Sequence, residues 1–213
     1  MIYYRPTDGD VYQNKILWRV RTAFLMTQLG DRIPEKVLNI RENVETVLTR
    51  KNIALIDADH TTTGKDFLLK IWELVLSVPI GIAIIYKGMP SRTLSNIFYE
   101  LGWMHAFGKE TIVVKEGNIK IPSDFVRTEY IPYDNKFERR FGNFLASLEE
   151  RLKYYEKMAD QMEKDPLLSI DYLRRAFLLG GDQGLREKAT KIFEGAGLDG
   201  RARNSVENLL VSF

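Results

Sequence analysis

Cysteine is absent from all 213 residues. That excludes disulfides, thiolate metal sites and cysteine nucleophiles together, and it suits a reducing compartment. No strong excess of one charge exists either. The formal net charge is +2, too close to neutral to point to nucleic acid as a partner. Residues 1–10 contain no apolar core of the signal-peptide kind. The longest apolar run lies near residues 78–86, far short of the roughly 20 residues needed to span a bilayer. The loops also lack a glycine-rich phosphate cradle of the P-loop kind. With 45% hydrophobic and 28% charged residues, the chain has ordinary globular composition and enough length for a full core. These features predict a cytoplasmic protein without a membrane partner.

What is present centres on residues 91–109, SRTLSNIFYELGWMHAFGK. Leu94, Ile97, Phe98, Leu101, Met104 and His105 fall on one broad stripe at helical spacing. Ser91 or Ser95 is expected to cap the helix, and Gly108 to end it in a left-handed conformation. Glu100 sits on another stripe, with Asn96 one turn before it and Trp103 about one turn after. An acid, an amide and an indole thus share the margin between core and solvent.

Strands are expected on both sides of this helix, at residues 79–86 (PIGIAIIY) and 111–115 (TIVVK). Short apolar runs without alternation suit strands covered on both faces, as in a parallel sheet. Ligands of such sheets bind at the carboxyl ends of the strands, which Glu100 is placed to reach. Residues 52–59 (NIALIDAD) predict another strand, residues 1–4 (MIYY) a first one and residues 129–132 (EYIP) a last one. Helices are predicted over residues 12–29, 37–50 and 65–77, with a break near residues 39–43. Strand and helix alternate throughout, so five parallel strands are expected within residues 1–134. Residues 135–162 read as one long helix. Shorter helices separated by glycines follow at 167–179, 185–193 and 201–210. Residues 135–213 are therefore expected to form a helical extension used for self-assembly or partner docking.

Two loops carry chemistry-bearing side chains. Arg5 lies in RPTDGD, a turn sequence after the first expected strand, where ligand contacts are common. Asp57 and Asp59 end the strand NIALIDAD, followed by His60. They suit contact with a ribose or a base, or capping of the next helix. Two carboxylates and one histidine this close do not define a metal site.

The run Ser95-Asn96-Ile97-Phe98-Tyr99-Glu100-Leu101-Gly102, continued by Ala106-Phe107-Gly108-Lys109, resembles the TIR-like and nucleoside 2-deoxyribosyltransferase-like superfamily. Its members carry S-N-x-x-x-E-[LI]-G-x-x-x-A-x-G-K on the helix after the third strand. The resemblance covers roughly residues 1–133 and implies a flavodoxin-like α/β fold with a five-stranded parallel sheet flanked by helices. It further implies cleavage of the N-glycosidic bond of NAD or a nucleoside, with Glu100 as the essential carboxylate. Ser95, Asn96, Trp103, Arg5, Asp57 and Asp59 would then contact the substrate. NAD would be a substrate rather than a cofactor, no metal would be needed, and the site would work in a homo-oligomer. Deoxyribosyltransferases usually carry an acid shortly before the motif glutamate; Arg92-Thr93-Leu94 stands there instead, which disfavours base exchange. The rival reading is a non-catalytic nucleotide-binding or assembly module, as many TIR-like domains are.

Overall fold

The computed structural model describes every residue except 1–2, 13–15, 31–32, 59–65, 118, 120–128, 163, 199 and 212–213. Five strands, β1 (Thr22–Met26), β2 (Ala54–Ile56), β3 (Ile80–Ile85), β4 (Glu110–Lys115) and β5 (Tyr130–Pro132), form one parallel sheet. Their order is β2-β1-β3-β4-β5, the flavodoxin-like arrangement. The interleaved helices are α1 (Glu35–Thr49), α2 (Phe67–Ser77) and α3 (Ser91–Ala106), and α4 (Phe137–Gln161) follows β5. All six residues of β3 and all five of β1 are buried, as strands covered on both faces require.

The first strand is not where the sequence pattern placed it. Among the described residues of 12–29 no helix forms; Thr22–Met26 within them is β1, in register with Ala54–Ile56 on one side and Ile80–Ala83 on the other. The strand expected at residues 1–4 lies partly outside the described residues; of the described ones, Tyr4 makes an isolated antiparallel bridge to Val11. Ala, Leu and Met are good helix formers, so local propensity misleads over TAFLM. Burial on both faces of the sheet decides instead. Arg21, at φ 49°, enters the strand in the left-handed region, and its side chain donates to the carbonyls of Lys51 and Asn52. That ties the start of β1 to the start of β2.

Contacts divide the chain into one unit of residues 21–146 and another of residues 1–20 with 147–213. The first twenty residues therefore group with the C-terminal helices, and the first ten residues of α4 group with the sheet. In the second unit α5 (Pro166–Gly180), α6 (Gln183–Gly195) and α7 (Gly200–Val211) pack together. Asp165 caps α5 and Asp182 caps α6, each accepting from first-turn amides. Arg174, 4% exposed, is bonded to Asp171 and lies 4.3 Å from the Trp18 ring centre. No helix among the described residues is long and apolar enough to cross a membrane.

Helices α2 and α3 pack on one face of the sheet, over Phe24, Met26, Ala83, Ile85 and Val113. At Gly81 the helix comes close. A Cβ there would stand 2.6 Å from Met104 Cε and 3.1 Å from Met26 Cε. Glycine at this point of β3 lets α3 settle onto the sheet.

Candidate functional site

Helix α3 positions the central acid. Ile97, Leu101 and Met104 are buried against the sheet, and Leu94, Phe98 and Trp103 are partly buried around them. Pro90 occupies the cap position and no side chain caps the first turn, so neither Ser91 nor Ser95 acts as expected. The helix ends at Ala106, and Gly108 follows at φ 64°. His105 lies outside the buried stripe and pairs with the Thr111 hydroxyl at 2.8 Å.

Glu100 stands at the edge of that buried face. Phe107, two turns further along the same flank, meets Trp72 of α2 edge-on with ring centres 6.3 Å apart. The flank carrying Glu100 is therefore the one α3 turns toward α2. Its side chain is only partly accessible, and it makes no hydrogen bond or ion pair with a described residue. Burial pushes its pKa from the ordinary 4.5 up to about 7. Near neutral pH the group is thus divided between a proton donor and a proton acceptor.

The other residues singled out in the sequence fall in different places. Asn96 is exposed on the Glu100 flank, one turn earlier. Trp103 is half-buried, and its ring packs on Tyr99 at 4.3 Å between centres. Ser95 is exposed and lies about 140° around the helix from Glu100. Asp57, just past β2, is fully buried in an ion pair with Arg41 of α1. Its surroundings make it an internal anchor between strand and helix. Asp59 and His60 lie outside the described residues. Arg5 belongs to the other unit and is paired with Asp8 at 3.0 Å and Asp10 at 3.1 Å, within its own turn. Among the described residues, Asn96 and Trp103 are thus the predicted contacts that share a side of α3 with Glu100.

A second polar cluster, not anticipated from the sequence, gathers at the carboxyl ends of β3 and β4. Lys36 of α1 pairs with Glu116 at 2.9 Å, donates to the Lys87 carbonyl at 3.0 Å and lies 5.1 Å from the Tyr86 ring centre. Glu116 also accepts from the Lys87 amide at 3.0 Å. The Lys36 hydrogen bond, above all, holds the Glu116 carboxyl below the usual range. Burial pushes the Tyr86 phenol up, and its hydroxyl donates to Gln28 beyond β1. Lys36, the Tyr86-Lys87 pair and Glu116 are far apart in sequence, and the fold brings them together. Beside them opens a cavity of about 340 Å³, between Ile85, the loop after it, Leu94 and Ile119.

Among the described residues no group of three histidine, aspartate or glutamate side chains is placed to hold a metal ion. Compared with models of protein families, with curated proteins and with solved structures, the chain matches none.

Proposed function

We propose that the chain is a TIR-like NAD nucleosidase, which hydrolyses the bond between nicotinamide and ribose with Glu100 as the essential carboxylate. The observation that carries this reading is an acid without a described partner, half-ionised near neutral pH, on the helix that follows β3. NAD brings its own cation. A pyridinium ribosyl group beside Glu100 favours the ionised carboxylate, because opposite charges lower an acid's pKa. As the C1′–N bond breaks, its electron pair goes to the pyridinium nitrogen and leaves neutral nicotinamide. The positive charge then develops on the ribose, where the carboxylate stabilises it or adds to C1′. Water completes the reaction at C1′ and loses a proton, which Glu100 can accept. Asn96 would orient the sugar or the carboxylate, and Trp103 would offer a face to a base.

The test is incubation of the pure protein with NAD at low and high protein concentration, with chromatography for nicotinamide and Glu100→Gln alongside. Nicotinamide from the wild type alone supports the reading, and a dependence on protein concentration points to a site completed by assembly. Equal turnover by Glu100→Gln removes the mechanism.

A second reading is a nucleotide-binding or assembly module without turnover. The engagement of Asp57 by Arg41 and of Arg5 by its own turn favours it, because two expected substrate contacts are already paired. It predicts retained nucleotide and no product.

A further inference from the structure

We infer that the cavity at the carboxyl end of β3 is a second small-molecule site, separate from Glu100, for an amphipathic anion with a compact apolar body and one carboxylate or phosphate. Its volume of about 340 Å³ falls in the range of small-ligand pockets. Ile85, Met89, Leu94 and Ile119 supply apolar wall. It also lies where open α/β sheets take their ligands, outside the carboxyl ends of the strands.

The charge at its rim is positive. Two lysines and one glutamate meet there. Glu116 is committed to the Lys36 ammonium and the Lys87 amide. Lys87, which lines the cavity and is exposed, has no carboxylate within ion-pair distance among the described residues; its charge acts on Glu116 from further off, so one glutamate faces two ammonium groups. The first turn of α3, which begins beside the cavity, has neither an acid nor a side-chain cap, so its field adds to the attraction for an anion. An apolar pocket with a net positive rim selects a molecule with one apolar end and one anionic end.

The site is distinct from the Glu100 flank. Leu94 and Glu100 are separated by about 120° around α3, so the two face different sides of the helix. The inference therefore stands whether or not Glu100 cleaves NAD.

Isothermal titration calorimetry of the full chain tests it with octanoate and adenosine monophosphate, each against its neutral counterpart, octanamide and adenosine. At least one anion binds, at least tenfold more tightly than its counterpart. Octanoate alone would identify an acyl carboxylate as the ligand chemistry, and adenosine monophosphate alone a nucleotide. Leu94→Trp fills the cavity and removes binding. Lys87→Glu, at an exposed position compatible with folding, weakens it at least threefold, while Glu100→Gln leaves it unchanged. Failure of both anions to bind, binding that survives Lys87→Glu and Leu94→Trp, or binding lost in Glu100→Gln would each overturn the inference.

Discussion

Replacing Glu100 by glutamine stabilises the fold at alkaline pH and has little effect at acid pH. In the unfolded chain the carboxyl takes its ordinary value of 4.5, whereas in the fold it ionises only near 7. The folded state therefore holds the proton more tightly. Below about pH 4.5 both states are protonated, and the group contributes no pH dependence. Between 4.5 and 7 the unfolded state has lost its proton and the fold has not, so stability falls as pH rises. Above 7 the cost of ionising Glu100 in place is fully present. At about 1.4 kcal/mol for each tenfold change in proton affinity, the interval corresponds to about 3 kcal/mol. Partial exposure of the side chain reduces this to about 1–3 kcal/mol. Glutamine keeps the shape and cannot ionise. Urea unfolding followed by tryptophan fluorescence reads the change, since Trp72 and Trp103 both lie in the α2–α3 layer. The expected result is near-equal stability at pH 4 and a gain of about 1–3 kcal/mol for Glu100→Gln at pH 8. Parallel pH profiles for the two proteins would refute the reasoning.

Other perturbations test the frame that holds the site. Arg41→Met leaves Asp57 buried without its cation and costs about 2–4 kcal/mol in urea unfolding; a loss under about 0.5 kcal/mol would contradict the anchoring role. Gly81→Val drives a branched side chain into Met104 and Met26 and costs about 1–3 kcal/mol, while Gly81→Ala costs less because both methionine ends can move. An unchanged melting temperature in Gly81→Val would contradict the close approach of α3 to β3. Asp66→Ala removes the side chain that accepts from the Leu68 and Leu69 amides and destabilises α2 by about 1 kcal/mol, read as a lower urea midpoint.

Much of the α/β frame is legible in the sequence. The runs IGIAII and TIVVK are continuous, apolar and rich in β-branched residues, so they declare buried parallel strands without help from the fold. The helix at 91–106 is equally clear from its stripe, and Glu100 falls on the margin that the stripe implies. The strand at 22–26 is hidden, because Ala, Leu and Met carry helical propensity and only pairing on both sides makes them a central strand. The partner of Asp57 is hidden for a related reason. At a strand's carboxyl end this aspartate looks like a ligand contact, but Arg41, sixteen residues earlier, meets it across the α1–β2 packing. The Ser91 and Ser95 caps fail because Pro90 already starts the helix one residue earlier. The cluster of Lys36, Tyr86, Lys87 and Glu116 has no local signature at all; its members meet because β3 and β4 end, and α1 begins, on the same edge of the sheet.

The pH dependence of NAD turnover tests the role of Glu100 most directly. Nicotinamide release by the wild type, measured from pH 5 to 9, is expected to give a kcat/KM that rises with an apparent pKa near 7, as the carboxylate form accumulates in the free protein. Glu100→Gln is expected to release at most about one hundredth as much nicotinamide at every pH. Turnover in Glu100→Gln at the wild-type level, or no nicotinamide from the wild type at any pH and protein concentration, would contradict the account.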